Sequence, residues 1–257
     1  MCKRRYMAMA APLLAVALGL GLVAWALPTL VPDAGSAIRY ARLAEDVPSP
    51  AGPRRGGDAQ AGPDWESLPS SCVAWLAVGG TSVDLPVAMA TDADPEYYLS
   101  HDLWGSPTGM GCPFVDHRCG SADASLVVCY GHRTYLAGSM FGDLSPCWRQ
   151  ESFDELGELE WSTPAGGTEV LVPLCAARVA SDWHQELVGT GEGGQLGAWT
   201  SSLLSEASAA SRDARELAGG ASRCVTLVTC SETTPGQPWR TLVAFVDLEG
   251  RDVDGGT

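Results

Sequence analysis

Short apolar runs of β type, separated by turn residues, most constrain the fold of this 257-residue chain. The clearest runs are CVAWLAV at 72–78, SLVVCY at 125–130, CVTLVT at 224–229 and RTLVAFVDL at 240–248. Valine and leucine dominate these runs, and Gly79-Gly80 follows the first as a turn signal. Many short strands with turn signals between them indicate a mainly β domain, built as a closed or partly closed barrel.

Weaker strands and several helices complete the predicted domain. Further strands are expected at 82–89, where Pro86 indicates an edge strand, at 113–116, and at 168–179 with a kink at Pro173. Residues 195–217 are rich in alanine, serine, leucine and glutamate and lack proline, which predicts a long helix. Short helical segments are predicted at 95–99, 139–144 and 146–156.

The N-terminus predicts a membrane anchor. Lys3, Arg4 and Arg5 precede an uncharged apolar run at 7–31. About 20 apolar residues span a bilayer as a helix, and positive charge before the run places the N-terminus inside. A cleaved signal peptide is the alternative, but its apolar region is normally about 7–15 residues. We therefore expect a single-pass protein of the cell membrane, with the rest of the chain outside the cytoplasm.

This reading divides the chain into three parts. Residues 1–31 are the cytoplasmic tip and transmembrane anchor. Residues 32–64 are rich in proline, glycine, alanine and arginine, which is typical of a flexible linker. Residues 65–257 are expected to form the folded, extracytoplasmic domain.

The charge balance excludes some partners. All 31 acidic residues lie at or after Asp33, whereas the basic residues beyond that point are thirteen arginines, because lysine occurs once, at Lys3. A nucleic-acid-binding domain needs a basic face to replace counterions, so this composition argues against nucleic acid. It also argues against docking of the domain on anionic lipid. A solubilising acidic surface explains the charge.

Nine cysteines raise the question of disulfides. They are Cys2, Cys72, Cys112, Cys119, Cys129, Cys147, Cys175, Cys224 and Cys230. All but Cys2 are expected outside the cytoplasm, where disulfides can form, but spacing does not reveal the pairing. Cys112 and Cys119 flank a short strand and could pair locally. The sequence contains no C-x-x-C, so zinc-ribbon and thioredoxin-type motifs have no support.

Three reactive side chains stand at predicted strand ends. His132 follows the strand that ends at Tyr130, Cys230 closes another strand, and Arg240 opens the last one. A thiolate is a nucleophile, an imidazole can give and take protons, and a guanidinium can stabilise an oxyanion. Together they form a plausible acyl-transfer set. Taken singly, such residues are more often a buried or disulfide cysteine, a structural histidine and a surface arginine stacked on tryptophan.

Longer segments carry a resemblance to a known family. YYLSHDLWG (97–105), LVVCYGHRTYLAGSMFGDL (126–144), LVTCS (227–231) and WRTLVAF (239–245) resemble sortases, most closely class B sortases. WLAVGGTSVDLPVAM (75–89) is similar to their opening strands. The likeness covers about 65–248, and it includes strand–Gly–His followed by Met–Phe–Gly, the Thr–Cys strand end and a downstream arginine.

The resemblance implies an eight-stranded β-barrel with a long helix inserted before the cysteine strand, and a cysteine transpeptidase that needs no cofactor or metal. Cys230 would attack the threonine carbonyl of a C-terminal sorting motif on an exported protein. His132 would act as general acid and base, and Arg240 would stabilise the oxyanion or the substrate backbone. An amine from a peptidoglycan precursor or a pilin would resolve the thioacyl enzyme, either to anchor surface proteins to a Gram-positive-type cell wall or to assemble a pilus, and the sequence does not distinguish the two.

Further residues are candidates for substrate binding: Leu103, Trp104, Tyr130, Thr229, Ser231 and Glu232. The chain departs from the family near the nucleophile, because some class B members place an acidic residue directly after the cysteine. Here Ser231 intervenes before Glu232, and a Gly/Pro-containing segment, TTPGQP, follows at 233–238.

Three alternatives stay open from the residues. One is a thiol hydrolase or peptidase on the same fold, which passes the acyl group to water. Another is a non-catalytic extracytoplasmic assembly module in which Cys230 is structural. The third is a metal site built from His101, His117, His132 and Asp116, although their spacing matches no tight ligand motif.

Overall fold

The structure is a computed structural model that describes residues 18–19, 33–44, 63–133, 140–183, 194–232 and 236–248. Its strands are β1 (Cys72–Val78), β2 (Asp84–Met89), β3 (Phe114–Val115), β4 (Leu126–Tyr130), β5 (Leu159–Thr163), β6 (Gly167–Ala180), β7 (Ala207–Ala210), β8 (Cys224–Cys230) and β9 (Trp239–Val246). Its helices are α1 (33–44), α2 (Gln150–Phe153), α3 (Gly194–Glu206) and α4 (Ala214–Gly220). Short 3₁₀ turns cover Tyr97–Leu99, His117–Cys119 and Gly142–Leu144.

Eight of the strands close into a barrel, which confirms the predicted fold. Neighbouring strands follow the order β5-β1-β2-β3-β4-β8-β9-β6, and β6 pairs again with β5 to complete the ring. β2 with β3 and β4 with β8 are parallel pairs, and the other neighbours in the ring are antiparallel. β5 was not among the strands predicted from the sequence, and it is the strand that closes the ring.

Both faces of β8 and β9 are buried, which explains why their sequences are continuous apolar runs. Val225 and Leu227 belong to the larger apolar cluster, together with Phe245 of β9. Alternate residues such as Cys224 and Val228 belong to a second cluster, which includes Trp199 and Leu203 of α3. Helix α3 therefore covers the outer face of the strands that carry Cys230 and Arg240.

The predicted long helix over 195–217 is wrong in its middle. Helix α3 ends at Glu206, Ala207–Ala210 form strand β7, and α4 begins at Ala214. β6 pairs with β5 over Gly167–Leu171, and β7 pairs with the continuation of β6 at Cys175–Ala177. The backbone groups of a long strand need partners beyond the end of β5, and this pairing overrides the helical propensity of alanine.

The predicted edge position of Pro86 is also wrong, because β2 lies between β1 and β3. Proline is nevertheless tolerated there for a local reason. β3 is short and pairs with β2 only at Ala88 and Met89, so no strand among the described residues lies beside Pro86 on that side. The missing N–H of the proline therefore breaks no ladder hydrogen bond with β3.

The predicted linker at 32–64 contains a helix. Residues 33–44 form α1, whose Ser36 and Tyr40 are buried one turn apart. Tyr40 joins the larger apolar cluster, so α1 packs against the barrel domain instead of being a flexible spacer. Residues 45–62 and the predicted anchor at 7–31, apart from 18–19, lie outside the described residues. Among the helices described, none is both long and apolar enough to cross a bilayer.

Candidate active site

One groove of about 690 Å³ brings the three reactive residues together. Cys230, His132 and Arg240 all line it, and so do Tyr130 and Thr229. The groove lies where β4, β8 and β9 end or begin, and the loop between β2 and β3 contributes Leu99. The placement of the three side chains at strand ends therefore leads to a shared site.

The register of β8 and β9 places Cys230 directly opposite Arg240. Residues that face each other in an antiparallel pair point to the same side of the sheet, with Cβ atoms about 5 Å apart. Both side chains are half-buried. The two side chains therefore leave the sheet on the same side and enter the same groove, and backbone pairing alone is enough to place them there.

Parallel pairing of β4 with β8 brings His132 to the same end. Tyr130 pairs with Val228, and the Gly131 N–H donates to the Val228 carbonyl at 3.0 Å. A Cβ at Gly131 would lie 2.5 Å from the Phe141 ring, so only glycine fits between the strand and His132. The Phe141 N–H donates to the His132 carbonyl at 2.9 Å. These contacts explain why a glycine precedes His132 and why Phe141 follows it in the pattern.

A backbone carbonyl orients the His132 ring. Nε2 lies 2.8 Å from the Leu99 carbonyl oxygen, which can only accept a hydrogen bond. Nε2 therefore carries a proton, and in the neutral ring Nδ1 holds the free lone pair. A histidine fixed in one tautomer in this way can exchange protons through its other nitrogen.

Arg240 is anchored at one corner of its guanidinium. Nη1 donates to the carbonyls of Gln237 at 2.9 Å and Trp239 at 3.1 Å. Within the described residues, no further hydrogen bond of this guanidinium is found. The remaining N–H groups are the kind of donors that bind a carbonyl or an oxyanion in the groove.

Of the predicted substrate-binding residues, some line the groove and others do not. Tyr130 and Thr229 line the groove, and the Thr229 hydroxyl is buried without a hydrogen bond among the described residues. Ser231 is buried and bonds to Thr241 at 2.9 Å, and Glu232 forms an ion pair with Arg178.

Leu103 and Trp104 do not line the groove. Leu103 is buried, and its N–H donates to the Tyr40 hydroxyl at 2.9 Å. The Trp104 ring lies 5.5 Å from the Tyr40 ring. Both residues therefore contact α1.

Several groove residues were missed from the sequence. They are Glu96, Leu99, Phe114, Arg118 and Ser181, among others, and Asp116 was considered only as a metal ligand. The Asp116 carboxylate accepts from Arg118 Nε at 2.9 Å and from the Tyr130 hydroxyl at 3.3 Å. Burial acts to raise the pKa of Asp116, but the hydrogen bonds from Arg118 outweigh it and the pKa is lowered. The strand-ending segment PFVDHR was a usable signal for this cluster, because polar residues follow a buried strand.

The eight described cysteines are all free thiols, so the suggested pairing of Cys112 with Cys119 is absent. Burial raises the pKa of Cys72 and Cys119 to about 11, and that of Cys147, Cys175 and Cys224 to about 12. It also raises the pKa of Cys112 and Cys129. Such thiols are poor nucleophiles, whereas Cys230 is half-buried and lines the groove.

The histidine and acidic side chains of the described residues do not form a metal site. Among the residues that the structure describes, no group of three or more His, Cys, Asp or Glu side chains could hold a metal ion. His101 stacks on Tyr97 with ring centres 4.0 Å apart, and His117 pairs with Asp92 and Asp116. The suggested metal site of His101, His117, His132 and Asp116 is therefore not assembled.

Comparison with known proteins gives a consistent class. No family model matches the chain, and no curated protein matches it. Solved structures do. Clostridium perfringens sortase B is 20% identical with a TM-score of 0.58, over 70% of this chain and 94% of that one.

Two further sortase B structures hold bound molecules. A Staphylococcus aureus sortase B–substrate complex is 20% identical with a TM-score of 0.58, covering 70% of this chain and 81% of that one. A sortase B complexed with triglycine is 19% identical with a TM-score of 0.56, covering 68% of this chain and 79% of that one.

The chain therefore has a sortase-type barrel fold. Within that class, many of the similar structures are class B sortases, which confirms the resemblance seen in the sequence at the level of the fold. At about 20% identity this likeness shows the fold alone.

Proposed function

We propose that this protein is a membrane-anchored cysteine transpeptidase of the sortase type. The observation that carries the proposal is the meeting of Cys230, His132 and Arg240 in one groove of a class B sortase fold. Each residue type has a distinct role in acyl transfer, and adjacent strand ends bring the three together.

The first half of the proposed reaction forms a thioester. The Cys230 thiolate attacks the carbonyl carbon of threonine in a C-terminal sorting motif, and the N–H groups of Arg240 stabilise the oxyanion. As the intermediate collapses, the peptide C–N bond breaks. The His132 imidazolium gives its proton to the leaving amine, which departs with the C-terminal part of the substrate.

The second half transfers the acyl group to an amine. The neutral amine attacks the thioester carbonyl, a new amide bond forms, and the C–S bond breaks to release the thiolate. His132 takes the proton that the attacking nitrogen loses. The sortase B structures with substrate and with triglycine support a peptide substrate and an amine acceptor. We propose a peptidoglycan precursor or a pilin as the acceptor.

The proposed location is the outer face of the cell membrane. The basic N-terminus and the apolar run at 7–31 support a single-pass anchor with the N-terminus inside. In this arrangement the barrel would meet exported proteins as they leave the membrane, which would suit the anchoring of surface proteins to the cell wall.

The test uses the full chain in detergent and peptides of the types Leu-Pro-x-Thr-Gly and Asn-Pro-x-Thr-x, with and without an added amine. Intact mass should show an acyl adduct on Cys230 that moves to the amine and is absent from Cys230→Ala. An adduct released only to water would favour the thiol hydrolase. No adduct, with a Cys230 that resists alkylation, would favour the assembly module and overturn the proposal.

A further inference from the structure

Helix α1 is tied to the loop between β2 and β3 by a buried ion pair. Arg39 pairs with Asp102, whose side chain is 0% exposed, and the Ser36 hydroxyl donates to the same carboxylate at 3.0 Å. Inside the loop, Asp102 accepts from the N–H groups of Trp104 at 3.0 Å and Ser106 at 2.8 Å. A buried carboxylate needs a cation and hydrogen bonds, and α1 supplies the cation.

Tyr40 of α1 joins two distant points of this loop. Its hydroxyl accepts from the Leu103 N–H at 2.9 Å and donates to the Gly111 carbonyl at 3.1 Å. The side chain is buried, and burial raises the pKa of the hydroxyl, so it stays protonated and able to donate. One group of the helix therefore fixes the separation between Leu103 and Gly111.

The same loop contacts the His132 ring at two places. The Leu99 carbonyl accepts from Nε2 at 2.8 Å. Gly111 has a φ of 65°, and a Cβ placed there would lie 3.0 Å from His132 Cδ2 and 2.4 Å from the Tyr98 carbonyl. The Cys112 N–H donates to that Tyr98 carbonyl at 3.0 Å, which links the two contact points. Gly111 thus packs against the edge of the imidazole.

We propose that α1 is a positioning element for His132 and acts through Tyr40, whose hydroxyl holds Gly111 against the imidazole ring. Its kinetic consequence rests on the proposed transpeptidase function. The chain of contacts runs from Tyr40 to Gly111, and from Gly111 to the ring and to Leu99 through Cys112 and Tyr98. Tyr40 touches no reacting atom, so it is a positioning residue.

The experiment compares Tyr40→Phe with the unchanged full chain. Histidine ring labelling is practical because the chain has four histidines. In the unchanged protein, a nuclear Overhauser effect should join His132 Hδ2 to the Gly111 Hα protons. In Tyr40→Phe we expect that effect to weaken at least about twofold, and kcat to fall about tenfold with KM within about twofold, because chemistry and not binding is affected.

Tyr97→Phe is the matched control, since it removes a tyrosine hydroxyl from the loop between β2 and β3, which Tyr40 contacts from α1. Tyr97 stacks on His101, and its change should alter neither the His132 contact nor kcat. A thermal unfolding curve establishes that each variant is folded, and Ser36→Ala serves as a milder second variant if Tyr40→Phe does not fold. An unchanged His132–Gly111 effect in a folded Tyr40→Phe would overturn the proposal.

The two readouts separate this proposal from the proposed function. A weakened His132–Gly111 contact without any transpeptidation in the unchanged protein would uphold the positioning role and reject the reaction. Normal transpeptidation with equal kcat in Tyr40→Phe and the unchanged protein would uphold the proposed reaction and reject the positioning role of Tyr40.

Discussion

The two sides of the groove hold their reactive groups in different ways. Cys230 and Arg240 face each other because β8 and β9 pair residue by residue, and β8 is flanked by β4. The His132 ring is oriented from a loop, through the Leu99 carbonyl and Gly111, and that loop is bound by side chains of α1. Most side-chain substitutions leave backbone pairing between strands intact. A loop that is held by a few side chains can lose its position when one of them is changed.

The largest effect is expected at the nucleophile. Cys230→Ala should lower kcat for transpeptidation by at least about 1,000-fold, because Cys230 is the one thiol among the described residues that line the groove. The control is Cys119→Ala, which changes a thiol whose pKa burial raises to about 11. Peptide cleavage followed by mass spectrometry measures both. Substantial turnover in Cys230→Ala would remove the strand-end thiol from the mechanism.

The second-largest effect on kcat is expected at Arg240, which lies opposite Cys230 in the β8–β9 pair. Arg240→Gln keeps a polar side chain but removes the positive charge and most of the donors, and we expect kcat to fall about 100-fold or more. Arg240→Lys should recover only part of the loss, because an ammonium lacks the planar fork of a guanidinium. If alkylation of Cys230 is unchanged in Arg240→Gln while kcat falls, the role lies in oxyanion binding.

The strand side of the groove was easier to predict from the sequence than the loop side. Cys230, Arg240 and His132 could be placed together because each ends or begins an apolar run, and such runs form paired strands. The closing strand β5 was missed. β7 was predicted as helix because its sequence, ASAA, has no strand pattern, and only its pairing with β6 makes it a strand.

The loop side was harder to predict. Helix α1 lies in a segment of linker-like composition, although Ala37, Tyr40 and Leu43 face the core at helical spacing. Leu99 contributes only a backbone oxygen to His132, and a backbone contact leaves no mark on residue type. Tertiary pairing and backbone acceptors therefore account for what the sequence pattern did not predict.

On the loop side, removal of the Arg39 charge should lower stability and kcat, in addition to the effect expected for Tyr40→Phe. Arg39→Met leaves the buried Asp102 carboxylate without its cation, and we expect a loss of about 2 kcal/mol in the free energy of unfolding, because Arg39 is partly exposed. The fall in kcat should be about fivefold to tenfold. Chemical denaturation and steady-state kinetics measure the two effects.

The double variant Arg39→Met/Asp102→Asn sharpens this test. It removes both charges, so no carboxylate is buried without a partner, and it should recover part of the stability lost in Arg39→Met. If the double variant is as unstable as the sum of the two single variants, the ion pair does not connect α1 to the loop.

The smallest effect is expected for a side-chain contact on the strand side. Glu232 lies two residues after Cys230 and pairs with Arg178, and both side chains are partly exposed, at 44% and 31%. Exposed pairs contribute about 0–1 kcal/mol, and the β8–β9 register holds Cys230 without them. Glu232→Gln should therefore change kcat by less than about threefold and the unfolding free energy by less than about 1 kcal/mol. Arg178→Met should cost somewhat more, because Arg178 also lies 5.0 Å from the Trp239 ring, beside Arg240. A tenfold loss in Glu232→Gln would show that side chains hold the strand ends as they hold the loop, and the contrast between the two sides would fail.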